Sequence, residues 1–354
     1  MRICTELAQT VGWVLNHRPV RIILGKSMPF RFITSTYRLP RALCLSTLTL
    51  AWSGGACSPT EEENGGSGGS YAAGGSHADP NSCLGQERPA DLPDTAVCVE
   101  ATVGRVVDQQ GAGLPDLRVT FCGPICFTAQ TDSTGAFQID AQRWLIPGEY
   151  SVQPHGSPNR TSFYYPLPSD WRQPRYEIGE LVAAEMPPGE PMILWNEDSS
   201  GPQQSLQSAD VVLDVPSGIQ VRPAIGDVLD GGEATHFRAL YLSAEDAAGF
   251  SDDLAGASVY ALAPFETEFV DASDPTIPVA VGLRLPNRES WPPGSEIEFR
   301  ALGTYLDVDW LPPAVFSSIG RGRVSDDGTA LVLLPTTEGP GLKHLTWVAA
   351  ELVP

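Results

Sequence analysis

The sequence predicts an all-β protein, with two antiparallel β-sandwich domains following an amino-terminal leader and a flexible tether. Three observations predict it. Short runs of alternating apolar and polar residues recur from Val99 onward, the pattern of half-buried antiparallel strands. Glycine and proline number 35 and 32 among 354 residues, which suits many short strands joined by tight turns. Charged residues make up only 18% of the chain, too few for long exposed helices or a coiled coil.

In order, the chain divides into residues 1–56, 57–80, 81–200 and 201–354. In the first part, Arg38 and Arg41 flank an apolar run of 11 residues, Ala42 to Trp52, too short to cross a bilayer as a helix. Ser53 to Ala56 are small, and Cys57 follows. This arrangement resembles a bacterial lipoprotein signal, in which the cysteine becomes the lipidated first residue of the mature chain. It departs from that pattern at Gly54, where the family has leucine. The resemblance implies export, a lipid membrane as partner through Cys57, and a place in the cell envelope at the outer membrane. Plain cleavage and secretion is the alternative. Because 41 residues precede the apolar run, Met28 is the better start, giving a 29-residue signal peptide that ends at Ala56. Ser58 to Pro80 is rich in glycine and serine around the acidic cluster Glu61 to Glu63. Such a tract has nothing to bury and reads as a tether with a reach of about 25 Å.

The stretch from Val99 to Val152 organises the next domain. Gly111 and Gly113 bracket a turn that needs relaxed dihedrals. Asp132 and Gly135 suit a tight hairpin, Asp bonding its own backbone and Gly taking positive φ. Phe137 and Tyr150 supply large apolar bodies to a small core. The motifs Gly104-Arg105-Val106-Val107-Asp108, Pro115-Asp116-Leu117-Arg118-Val119, Thr131 to Phe137 and Pro147 to Val152 occur in the order of the carboxypeptidase regulatory-like domain, a prealbumin-type β-sandwich, which this stretch resembles. The resemblance implies a non-catalytic accessory module and carries over no catalytic residue.

Of seven cysteines, Cys4 and Cys44 precede the expected cleavage and Cys57 carries the lipid. Four remain, an even number in an exported chain, which points to two disulfides. Four cysteines allow three pairings; the one favoured sets Cys122 across a hairpin from Cys126, with Gly123-Pro124-Ile125 as a three-residue turn, and leaves Cys83 to pin the entry segment to Cys98. A zinc site using the Cys122-x3-Cys126 spacing is the rival reading. Ile178 to Met186 and Pro191 to Trp195 read as closing strands, and Gly201 to Ser205 as the linker.

Strand candidates of the second domain are Val211–Val215, Thr235–Leu242, Ala257–Ala263, Val279–Leu285, Glu296–Leu302, Gly322–Ser325, Ala330–Leu334 and Leu345–Val353. Ala244 to Leu254 reads as a short helix or a loop, and Asp326-Asp327-Gly328 as a hairpin turn. Trp291, Tyr305 and Trp310 fall in segments rich in proline and acid, so they are expected either to form an exposed binding platform or to plug the ends of the sandwich.

Hydrolase elbows, zinc-protease pairs and phosphate-binding loops are absent as motifs, and no cofactor or metal is called for. Glu266, Glu268, Asp307 and Asp309 are the carboxylates to test first for a glycosidase pair, against the plainer reading of solvated charges. Net charge is −21, although residues 1–56 hold seven basic residues and one acid, so the remainder is more acidic still. That surface repels a phosphate backbone and excludes nucleic acid as a partner. The expected function is a non-catalytic binding or structural module at the membrane surface, with a carbohydrate or protein ligand. The alternative is an extracellular carbohydrate-active hydrolase using paired carboxylates.

Overall fold

The computed structural model describes residues 82–83, 86–155, 159–194, 200–224, 236–248, 250, 254, 256–335 and 339–353. The leader, Cys57 and the tether lie outside them. Apart from one five-residue helix, α1 (Ala244–Ala248), the regular elements among the described residues are strands.

The first half holds β1 (Ser82–Cys83), β2 (Gln86–Glu87), β3 (Val97–Val107), β4 (Arg118–Cys122), β5 (Cys126–Gln130), β6 (Ala136–Leu145), β7 (Ser151–Pro154), β8 (Tyr165–Pro166) and β9 (Arg175–Val182). Alternation places Phe137, Ile139 and Ala141 of β6 inward while their neighbours face water. Two sheets result, β6–β3–β9 and β5–β4–β7–β8, with β9 parallel to β3 and the other pairs antiparallel. Val99, Val106, Ile139 and Leu181 of the first sheet meet Val119, Phe121 and Val152 of the second in a common core. The turns form as their residues suggest. The Asp132 carboxylate accepts the N–H groups of Thr134 and Ala136 at 2.8 and 3.0 Å, and Gly135 takes φ 82°. Asp108 does the same for Gln110 and Ala112.

The cysteines lie at disulfide distance in the expected pairs. Cys83 and Cys98 have Cα atoms 5.3 Å apart, and Cys122 and Cys126 have theirs 4.1 Å apart as register partners of β4 and β5. So paired, Cys122 and Cys126 offer no thiolates to zinc.

The second half contributes β10 (Glu190–Pro191), β11 (Gln204–Ser208), β12 (Val211–Val215), β13 (Ile219–Arg222), β14 (His236–Leu242), β15 (Ser258–Ala263), β16 (Glu268–Asp271), β17 (Gly282–Pro286), β18 (Glu296–Leu302), β19 (Phe316–Val324), β20 (Ala330–Leu333) and β21 (Trp347–Leu352). Ten of these form one sheet in the order β10–β14–β15–β21–β18–β19–β20–β17–β12–β11. A bridge between Gly189 and Ser208 brings its two ends together, so the sheet is nearly a closed barrel. β13 and β16 form a separate ribbon. The curl has local causes. A register shift at Phe299 and Arg300 bends β18, and Gly322 lies so close to the Phe299 ring that a Cβ would meet it at 2.6 Å.

Two boundary expectations change. Pro191 does not open a closing strand of the first half, since Glu190 and Pro191 pair with Phe237 and His236 of β14; Trp195, the other end of the expected strand, lies outside the described residues. The chain can run there because Gly189 has no side chain, and a Cβ would sit 1.5 Å from the Phe237 carbonyl oxygen. Nor is Gly201 to Ser205 a linker throughout. Gln204 opens β11 and is buried, its amide exchanging hydrogen bonds with the Ile193 N–H and C=O at 2.7 and 3.1 Å.

The halves share a third core. Phe163 lies 4.6 Å from Trp347 between ring centroids and 5.0 Å from Phe250, while the Trp347 indole N–H donates to the Ser162 carbonyl at 2.7 Å. Met186, Val259 and Leu302 complete this cluster. The described residues accordingly fall within one compact unit, Gly74–Pro354. Phe163→Ala is expected to cost about 3–5 kcal/mol and to split a single thermal transition into two, as seen by calorimetry. An unchanged single transition would show that the halves are coupled elsewhere.

Candidate functional site

The segment Gly303 to Val315 closes on itself. Gly303 donates to the Val315 carbonyl and receives the Ala314 N–H, both at 3.0 Å, and a Cβ on Gly303 would strike the Pro312 carbonyl at 2.1 Å. Inside this loop sits Trp310, 6% exposed, with its indole N–H donating to the Gly341 carbonyl at 3.0 Å. Trp291 is half-buried against the same core, with Asn287 bonding its backbone on both sides. Tyr305 is half-buried as well, its ring 5.0 Å from that of Tyr164. Of the two expectations for Trp291, Tyr305 and Trp310, a plug or an exposed platform, Trp310 follows the first, and the other two are half-buried. Loop closure turns Trp310 inward and leaves the aliphatic Leu306 and Val308 outside, at 59% and 53% exposure.

Of the four acids, Asp309 is exposed on this loop. Glu266 is sealed between the halves. Tyr164 donates its hydroxyl hydrogen to the Glu266 carboxylate, and Gln153 adds a second hydrogen bond. Burial, only partly offset by these bonds, pushes the Glu266 carboxyl up to about 7. Burial and the adjacent Glu266 push the Tyr164 hydroxyl upward too, so it remains a donor. Glu266 itself takes φ 65°, a backbone turn that re-aims the chain just before β16.

Glu268 and Asp307 come together, and sequence reasoning missed the residue between them. His344 is cross-strand partner to Glu268, and its Nε2 lies 3.3 Å from the Asp307 Oδ2. One donor atom from each of the three lies within 4.8 Å of the others. Arg222 clamps Glu268, its Nε and Nη2 at 3.0 and 2.5 Å from Oε2. Asp307 is oriented by the Thr304 hydroxyl, which accepts its N–H, and by the Trp310 N–H, which donates to its Oδ1, each at 3.2 Å. Burial holds the His344 imidazole below its ordinary range, against the opposing pull of Asp307. A lone histidine 37 residues from one acid and 76 from the other carries no spacing signal in the sequence.

Surface grooves among the described residues lie elsewhere. One runs between the halves, lined by Gly123, Pro124, Gly148 and Glu149 on one side and by Tyr305, Val308 and Pro313 on the other. The others are lined by residues of β3, β6 and β9, and by residues around β19 and β20. None is lined by Glu268, Asp307 or His344. No family model matches the chain, and no curated protein matches it either.

Trp310→Ala is expected to lower stability by about 3–5 kcal/mol, the cost of emptying a core site, which a urea titration measures. Near-wild-type stability would return Trp310 to the surface. Glu266→Ala leaves the buried Tyr164 hydroxyl without its acceptor and is expected to cost about 1–3 kcal/mol, whereas Glu266→Gln keeps an acceptor and costs less. Equal losses in the two variants would show that the Tyr164 contact contributes nothing.

Proposed function

We propose that the protein is an exported cell-envelope lipoprotein, anchored at the outer membrane through Cys57, whose β-structured body acts as a non-catalytic binding or spacing module. One observation carries this reading, the order of parts along the chain. A short apolar run ends in small residues and a cysteine, a Gly/Ser-rich tether follows, and then comes a single unit in which two β-halves share one aromatic core. A tethered rigid body suits presentation of a surface away from the bilayer. The first half is a two-sheet sandwich with Asp- and Gly-based turns, in keeping with a carboxypeptidase regulatory-like module. A protein or carbohydrate ligand would enter the groove between the halves, where Val308 and Pro313 face Gly123 and Pro124.

The carboxylates support a non-catalytic reading through their partners. Glu266 is enclosed with Tyr164, and Glu268 is held by Arg222. A second reading, a hydrolase of carbohydrate type, draws on the closeness of Glu268 and Asp307. Cell fractionation tests the anchor: wild type is expected with the membranes, and Cys57→Ser in the soluble or uncleaved fraction. Identical partitioning of the two sinks the lipoprotein reading. Polysaccharide turnover by purified protein that is lost in Glu268→Gln or Asp307→Asn would establish the hydrolase instead.

A further inference from the structure

We propose that Glu268, Asp307 and His344 form a binding site for one divalent transition-metal ion of the zinc type. The site is independent of how the protein is anchored. Its donors are one imidazole nitrogen and two carboxylate oxygens, brought from three separate segments to within 4.8 Å of one another. Calcium and magnesium take oxygen ligands almost exclusively, whereas zinc and its neighbours accept this mixed set.

The three side chains are positioned by more than their mutual contacts. Backbone pairing fixes Glu268 opposite His344. The Trp310 N–H occupies Oδ1 of Asp307, so Oδ2 is the oxygen presented to His344. Trp310 also walls the imidazole, with ring centroids 4.9 Å apart. The backbone bond from Trp310 to Asp307 is the kind of outer support that carboxylate ligands of metals have. His344 is only 1% exposed, and its Nδ1 has no hydrogen-bond partner among the described residues. The Nε2 of this buried ring lies against the Asp307 carboxylate, with Glu268 joining the same donor group within 4.8 Å.

Arg222 supplies the opposing effect. Both of its contacts fall on Oε2 of Glu268, and Oε1 takes neither. Its side chain is 43% exposed, so it can swing into water without unfolding anything. A dication and this guanidinium compete for the same carboxylate. An ion bonded to all three ligands at about 2.0–2.2 Å would draw the carboxylates inward and leave a fourth position open to water or an oxygen-bearing ligand.

The competition makes the test directional. Full-length protein stripped with a chelator is titrated with Zn²⁺ by calorimetry and with Co²⁺ by visible absorption. Saturation at one ion per chain is expected, with a Co²⁺ d–d band reporting nitrogen and oxygen ligation. Glu268→Gln and Asp307→Asn should each weaken binding by at least the roughly 10–100-fold that losing a ligand's outer hydrogen-bond partner costs. Arg222→Gln should tighten it by about tenfold, since the competing charge is gone. Asp326→Asn, on an exposed hairpin, is the control and should change nothing. A melting curve accompanies each variant. Should Asp307→Asn fail to fold, Glu268→Gln and Arg222→Gln, whose side chains are partly exposed, decide the matter with opposite signs. Absence of one-equivalent binding overturns the proposal. So does binding that ignores Glu268 and Arg222, which would mark adventitious capture by an acidic surface.

Discussion

The packing of Phe163 and Trp347 is the contact on which the rest of the molecule depends. Each half has its own core, built from alternating strands. What prevents independence is the stretch Thr161 to Tyr165, which joins β7 to β8 and carries three consecutive aromatics. Phe163 enters the second half beside Phe250 and Trp347, and Tyr164 packs against Phe265 and Tyr305. Aromatic clusters of this kind bury much area and add orientation-dependent attraction. Because the Trp347 indole also bonds the Ser162 backbone, the junction has directional as well as apolar character. The groove between the halves keeps its shape only as long as this junction holds.

Acidity has a local explanation before any functional one. Many of the excess carboxylates are turn builders. Asp271 accepts the N–H and hydroxyl of Ser273, Asp274 those of Thr276, and Asp327 the hydroxyls of Ser325 and Thr329. These bonds favour the ionised form. They hold Asp271 and Asp274 below the usual carboxylate range and bring Asp327 down to about 2. A fold of short strands needs many turns, and an Asx turn consumes one acid at each. Part of the net charge is thus a by-product of the architecture rather than a mark of a basic partner.

What could be read in the chain beforehand follows the same physics. β12 and β18 coincide with their alternating runs because each has one wet and one dry face. The hairpins were legible from Asp and Gly, and the cysteine pairs from their number and spacing. β11 was not, because Gln204, Leu206 and Ser208 bury a face that is two-thirds polar, satisfied by Ile193 and Pro188 rather than by apolar contact. Hydrophobic alternation cannot report a strand buried through hydrogen bonds. Trp310 is the opposite case, since the sequence leaves both an exposed and a buried placement open. Prolines and acids around it suggest an exposed loop, yet the outcome was decided by Gly303, whose missing side chain lets the loop close with the indole inside. His344 carried no signal at all, since its neighbours are set by pairing between β16 and a distant segment.

Glu266 and Glu268 show why the site had to be read in three dimensions. They are the same residue type, two positions apart, and an extended strand would send both to one face. The positive φ at Glu266 breaks that equivalence, and the two carboxylates receive different environments. Glu266 goes into the junction, where burial favours its protonated form and a phenol supplies the hydrogen bond. Glu268 begins β16 beside a guanidinium and an imidazole, where charge is compensated and the carboxylate remains available to a cation. One acid therefore belongs to the seam that makes the halves a single body, and the other to a cluster at the edge of that body. Counting carboxylates in the sequence placed both on the same list. The single backbone turn between them separates a structural role from a binding one.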